Sequence, residues 1–283
     1  MKTFFLFAFI SLFTIQTFGQ TKLPKPLRNS YSFVPSGNVV LNEDTVSVQS
    51  FFIYNQEVTN ANYQEFLSWV DQNGTDEMKE ITKVESENWT SELSQFKSEA
   101  FTEKYHTHSA FANYPVVNIS QDAALLYCKW LEEFFEREYD LNVKVRLPQH
   151  AEFIRAGQGD NLDAVYSWNG PYLRNAKGEF LANFTRIPQS TISRNADGEL
   201  EIQKWSGKHL GSSDVIAVAK SYFPSAYGLY NLNGNVAEMI AEEGIAVGGS
   251  WLDYGYDIRL QSRKKYDNSS CLVGFRPVFT VIN

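Results

Sequence analysis

Tyr227-Gly-Leu-Tyr-Asn-Leu-Asn-Gly-Asn-Val-Ala-Glu238 is the stretch on which the reading of this chain turns. Asn231, Asn233, Asn235 and Glu238 place hard side-chain oxygens within one short loop, the ligand type that calcium prefers. The competing local reading is an Asn-Gly turn capped by its own amides. Val247-Gly-Gly-Ser-Trp251 follows as a glycine-lined strand entry, and Gly274-Phe-Arg-Pro277 as a closing strand.

The surrounding chain has 283 residues, 43% of them hydrophobic, enough for one large or two small domains. Its 15 Tyr, 21 Phe and 6 Trp predict an aromatic-rich core. The net charge of −8 and the scattered cations repel a phosphate backbone, so nucleic acid is excluded as a partner. Residues 1–19 read as a secretory signal: Lys2, the apolar run Phe4 to Phe13, and Thr17-Phe18-Gly19 as the cleavage site. Thr14 to Gln16 break that run too early for a span of roughly 20 residues. No cysteine near the cut offers a lipid anchor. Expected is an exported mature chain, in the periplasm or at the cell surface, with a linker over 20–31 and a domain over 32–283.

Ser32 to Leu41 reads as a strand with a Pro-Ser-Gly turn inside it, and Val46 to Tyr54 as a second strand. Thr59 or Asn60 caps a helix whose Tyr63, Phe66, Leu67 and Val70 form a buried face. Residues 73–110 read as polar loops with a short helix around Ser91 to Ser98, and His106-Thr-His108 as solvated rather than metal-binding. Tyr114 to Ile119 predicts a short buried strand. Ser120 caps a helix with the stripe Ala124, Tyr127, Cys128, Leu131 and Phe135. Val143 to Pro148 predicts a strand, Gln149 to Ala156 a helix, and Gly157 to Phe223 irregular backbone. Cys128 and Cys271 are either bridged or buried free thiols. The sequons at Asn88, Asn118, Asn183 and Asn268 read as chance.

Ten short blocks now align in order. They run from Phe33-Val-Pro-Ser-Gly, Glu57-Val-Thr-Asn-Ala-Asn-Tyr63, Tyr114-Pro-Val-Val-Asn-Ile-Ser120, Tyr127-Cys-Lys-Trp-Leu131 and Arg146-Leu-Pro-Gln-His-Ala-Glu152 to Tyr166-Ser-Trp168, Ala182-Asn183 and the three blocks quoted above. Together they resemble the formylglycine-generating (sulfatase-modifying factor) family. The resemblance implies a single α+β domain of that family's C-type-lectin-like fold, with little regular secondary structure.

The family's oxidases hold copper(I) between two cysteine thiolates at the third and eighth positions after the serine of Gly-Gly-Ser. Counted from Ser250, those positions are Asp253 and Ile258. A carboxylate is a poor copper(I) ligand and isoleucine is none. Iron-dependent relatives draw histidines from an additional helical domain, for which this chain has no room. Asp253, Tyr254, Tyr256, Asp257 and Arg259 read instead as a polar peptide-binding rim.

The resemblance also implies structural calcium at Asn231, the carbonyls of Gly234 and Val236, and Glu238. A second site is implied at Asn183 and the carbonyl of Phe184, completed by Asp214 with the carbonyl of Ile216 or by Asp197. The non-catalytic members most similar to this chain are gliding-motility and type IX secretion proteins of Bacteroidota. The similarity lies in Thr45-Val-Ser-Val, Glu57-Val-Thr-Asn and the run from Tyr105 to Pro115. The expected function is a calcium-stabilised binding or assembly module contacting another envelope or secreted protein, and the expectation leans away from an enzyme. The alternative is a formylglycine-generating or related metal-dependent oxidoreductase acting on protein cysteine.

Overall fold

The computed structural model describes residues 23–41, 43–93, 99–186, 192–202 and 215–282. The elements before the long central helix are α1 (Lys25–Ser30), β1 (Tyr31–Val34), β2 (Gly37–Leu41), β3 (Asp44–Val48), β4 (Phe51–Tyr54), α2 (Asn60–Asn73), α3 (Asp76–Ile81), α4 (Asn88–Glu92) and α5 (Glu99–Lys104). After them come α6 (Gln121–Tyr139), β5 (Val143–Arg146), α7 (His150–Gln158), β6 (Ile192–Arg194), β7 (Leu200–Ile202), β8 (Ala237–Met239), β9 (Ile245–Val247), β10 (Arg263–Lys265), β11 (Val273–Phe275) and β12 (Val278–Val281).

Two four-stranded sheets organise these pieces, in the orders β1-β4-β12-β5 and β10-β9-β8-β11. The first is antiparallel throughout. In the second, β11 joins β8 in parallel, which brings the Gly274-Phe-Arg strand against Ala237-Glu-Met. Two hairpins, β2–β3 and β6–β7, complete the sheet structure among the described residues.

The helices α2 and α6 form because each carries an apolar stripe and a defined start. Thr59 accepts the amide of Asn62 in a capping box, and Ser120 accepts the amide of Ala123. Asp140, at a left-handed φ of 50°, ends α6. Their buried faces close on the first sheet in one cluster: Tyr63, Phe66, Tyr127, Leu131 and Phe135 against Val143, Val145 and Phe279. The opposite side of the molecule packs α7 and β2 into a second cluster through Val39, Phe153, Ile154, Val247 and Leu260. No helix among the described residues is long and apolar enough to cross a membrane.

Several sequence expectations need correction. Val46 to Tyr54 is two strands, not one. β3 pairs with β2, whereas β4 pairs with β1 and β12, so the chain changes sheets at Gln49-Ser50. Tyr114 to Ile119 is buried from Pro115 onward but forms no strand: Pro115 makes a lone bridge to Thr59, and Asn118 sits at a φ of 60°. A residue without an amide hydrogen, followed three residues later by a left-handed one, leaves no room for a ladder. Of the helix expected around 91–98, Ser91 and Glu92 end α4, and residues 94–98 lie outside the described set.

His106 is not solvated: it is 7% exposed. The aromatic group Trp89, Phe101, Tyr105, Phe111 and Tyr114 covers that segment, and no helical or strand periodicity announces such a cluster. Cys128 and Cys271 are both buried free thiols lodged in different clusters.

Candidate functional site: a buried asparagine loop beside a charged cleft

The 227–238 loop is shaped by four left-handed residues, Gly228 (φ 76°), Asn231 (φ 54°), Gly234 (φ 75°) and Asn235 (φ 64°). At Gly234 the chain also passes so close to the 183 backbone that a Cβ would lie 2.1 Å from the Asn183 carbonyl oxygen. Only glycine fits there.

Each asparagine is tied to a distant segment. Asn233 accepts from the Ser167 amide (2.9 Å) and donates to the Ile258 carbonyl (2.6 Å). Asn235 donates to Glu57 Oε1 (2.9 Å) and accepts from the Ala217 amide (2.8 Å) and Asn183 Nδ2 (3.2 Å). Asn231 donates to Glu57 Oε2 (3.2 Å) and to the Val218 (3.2 Å) and Ala219 (3.1 Å) carbonyls. Its own Oδ1 is buried without a hydrogen-bond partner. Asn118 and Asn183, both sequon asparagines, are fully buried in this protein.

Glu238 is 1% exposed and lies against Arg276, which is 0% exposed. Arg276 Nη2 donates to Glu238 Oε1 (2.6 Å) and Nε to Oε2 (2.9 Å), a fork on both oxygens. The guanidinium also donates to the Tyr230 (2.7 Å) and Tyr54 (3.1 Å) carbonyls. Glu57, equally buried, shares this interior, and desolvation pushes its carboxyl up to about 8. In the sequence Glu57 stands only as the first residue of the Glu57-Val-Thr-Asn block. Its role as the acceptor for two loop asparagines is a tertiary relation with no local signal.

Whether these residues suit a calcium ion rests on their atoms. Asn231 Oδ1 is the oxygen that fits: it is buried, hard and otherwise unpaired. Glu238 already carries Arg276 on both oxygens, so coordination there would use the remaining lone pairs. Among the described residues no three His, Cys, Asp or Glu side chains gather as a metal group. A cation here would therefore lean on the amide of Asn231 and the carbonyls of Gly234 and Val236. At the second expected site, Asn183 Nδ2 donates to the Val215 carbonyl (2.8 Å) and, as above, to Asn235, so Asn183, Val215 and Ile216 belong to one region with the loop. Asp214 lies outside the described residues. Asp197 sits in the exposed β6–β7 turn, its amide donating to Asn195 Oδ1 (3.1 Å).

The Gly-Gly-Ser segment opens a different environment. Ser250 is fully buried; its amide (2.8 Å) and Oγ (2.6 Å) both donate to Asp253 Oδ2. Lys264 Nζ lies 2.9 Å from Asp253 Oδ1, so every oxygen of this carboxylate is committed. Ile258, 0% exposed, packs with Tyr166, Ala182 and Phe184. Burial raises the thiols of Cys128 and Cys271 well above the usual range, and Cys271 Sγ faces Glu92 at 3.6 Å. Neither is positioned as a thiolate pair. Outside Asp253 lies a cleft of about 470 Å³ lined by Gly249, Tyr256, Asp257, Arg259 and Lys264 among others. On its rim the Arg259 guanidinium sits 3.4 Å from the Tyr256 ring centroid.

The sulfatase-modifying factor enzyme 1-like domain matches residues 21–281. A formylglycine-generating enzyme of Thermomonospora curvata is 31% identical over 130 residues, covering 46% of this chain and 34% of that protein. One of Mus musculus is 24% identical over 285 residues, covering 82% of this chain and 66% of its own length. The chain thus spans less than two thirds of either relative. Among solved structures, CarF superposes with a TM-score of 0.57 at 19% identity, over 90% of this chain and 98% of its own. PvdO from Pseudomonas aeruginosa does so with 0.53 at 14%, over 88% and 93%. These two likenesses carry the fold alone. The chain belongs to the family of sulfatase-modifying factor enzyme 1-like domains.

Proposed function

We propose that this protein is an exported binding or assembly module, its loops clamped by structural calcium, that contacts another envelope or secreted protein in gliding motility or type IX secretion. One observation carries the reading: where the family's oxidases place copper thiolates, Asp253 is locked to Ser250 and Lys264, and Ile258 is core. A position spent on hydrogen bonds and packing leaves no soft ligand for copper(I), while the charged, aromatic-rimmed cleft beside it has the size and chemistry of a recognition surface. Calcium is supported by the unpaired Asn231 oxygen and by the small share of regular structure around it. The signal-like residues 1–19 support export; they lie outside the described residues.

A photo-crosslinking amino acid at Tyr256 tests the module. In living cells it is expected to trap one defined envelope or secreted protein, and the same probe at Glu77 is not. Equal labelling from both positions, or none from Tyr256, refutes the reading.

A further inference from the structure

We infer that the aromatic pocket between α1, α2 and α6 binds an organic ammonium group. The pocket, of about 160 Å³, shares no lining residue with the cleft at Asp253. A cavity of about 150 Å³ holds a benzene, so the ligand is small, on the order of eight non-hydrogen atoms. The wall is a run of neighbouring rings. Tyr31 and Tyr54, cross-strand partners on β1 and β4, have centroids 5.1 Å apart. Tyr127 and Trp130 on α6 are 5.2 Å apart, Trp130 and Phe134 5.6 Å. Rings alone would make this ordinary core; the polar atoms do not. A buried tyrosine spends its hydroxyl on a partner. Tyr31 and Tyr127, 8% and 5% exposed, do not: neither hydroxyl hydrogen-bonds to a described residue. Neither oxygen is sealed in protein, so both open on the cavity they line.

Charge selects the ligand. Among the described residues lining the pocket, Glu65 is the sole charged side chain, and no described residue pairs with its carboxylate. Burial raises the phenols of Tyr54 and Tyr127, and the Glu65 charge raises both further. Tyr31 is raised by burial first and then by Tyr127 beside it, so the two free hydroxyls stand near each other and stay protonated at neutral pH. The surrounding elements carry the same sign as Glu65. Lys25, Arg28, Lys129 and Arg137 are the cations of α1, β1, β4, α2 and α6, and none of them lines the pocket. Glu65 and Asp71 on α2, with Asp122, Glu132, Glu133, Glu136 and Glu138 on α6, outnumber them. An anion is therefore repelled. A cation gains the Glu65 charge, the lone pairs of two phenol oxygens and the electron-rich rings. A primary ammonium has three hydrogens to give, enough for Glu65, Tyr31 and Tyr127 together.

The probe is para-fluorobenzylammonium, its fluorine signal followed by NMR, with para-fluorobenzyl alcohol as the neutral twin, each up to about 10 mM. The amine is expected to bind about tenfold more tightly than the alcohol. Glu65→Gln should weaken the amine about threefold and leave the alcohol unchanged. Tyr127→Phe, which keeps the ring and removes an acceptor, should weaken the amine about fivefold. Glu201→Gln, on β7, should change neither. A free amine and a lysine side chain carry the same ammonium, and displacement of the probe separates them. If Nα-acetyl-lysine N-methylamide displaces it at lower concentration than benzylammonium, the source is a protein lysine; the reverse assigns a free amine. Equal affinity for amine and alcohol, amine binding undiminished by both Glu65→Gln and Tyr127→Phe, or no amine binding at about 10 mM overturns the inference.

Discussion

Glu57 and Asn235 stand 178 residues apart in sequence and are joined by a 2.9 Å hydrogen bond in the buried interior. The same carboxyl group reaches Asn231, so the turn between β4 and α2 fixes both left-handed asparagines of the oxygen-rich loop. Arg276, arriving from the end of β11, balances Glu238 beside them. One long-range polar network thus joins the first sheet, the loop and the second sheet.

Removing the cation of that network should be severe. Arg276→Met leaves Glu238 and Glu57 buried without the guanidinium, and the expected loss is about 3–5 kcal/mol in urea unfolding at neutral pH. A loss under about 1 kcal/mol would mean that water or another cation compensates the pair.

Gly234→Ala should also damage the fold. The added methyl meets the Asn183 carbonyl oxygen at 2.1 Å, at a φ of 75°. Neither backbone can yield without breaking the Asn235–Asn183 contacts, so a loss of about 3 kcal/mol or more is expected, read as a fall in urea midpoint. An unchanged midpoint would show that the segment around Asn183 is not held where the structure places it.

Calcium should raise the melting temperature through Asn231. At a hundredfold excess over Kd, binding to the folded state contributes about 2.7 kcal/mol, or about 5–10 °C for a domain of this size. Chelation should reverse the shift, and Asn231→Leu should abolish it. A full shift retained in Asn231→Leu would place any calcium elsewhere.

Acid should weaken the protein through His106. Burial lowers its imidazole from 6.5 to about 4, with Asn60 and Asn118 as its polar neighbours. Between those values the unfolded chain takes up a proton that the folded one refuses, so stability falls as pH drops from about 6.5 to about 4. Subtracting the pH profile of His106→Gln from that of the unaltered protein isolates this slope. Identical profiles would show that the ring protonates in place.

Much of this fold is legible in the sequence, and the reasons are local. Thr59 and Ser120 announce their helices because a cap is a contact within three residues. The ten ordered blocks carry the architecture, and Gly234 and Gly248 mark turns that nothing else fits. What the sequence hides is tertiary. Glu57 shows no sign of its asparagine partners, and His106 looks solvated because its cover of rings comes from Trp89 to Tyr114 without periodicity. The split between β3 and β4 is invisible for the same reason: Val46 to Gln49 alternates and Phe51 to Tyr54 is a continuous apolar run, both compatible with one strand, and only their different partners separate them. Asp253 stands where the resemblance implies a cysteine, but its lock on Ser250 and Lys264 has no signal in the sequence.

Oxygen uptake by the copper-loaded protein with a cysteine-containing peptide tests the central claim most directly. With Asp253 and Ile258 in place of soft sulfur ligands, consumption is expected to match the copper-only blank, and the peptide thiol to remain intact by mass spectrometry. Copper-dependent uptake above that blank, with conversion of the thiol to an aldehyde, would contradict the account.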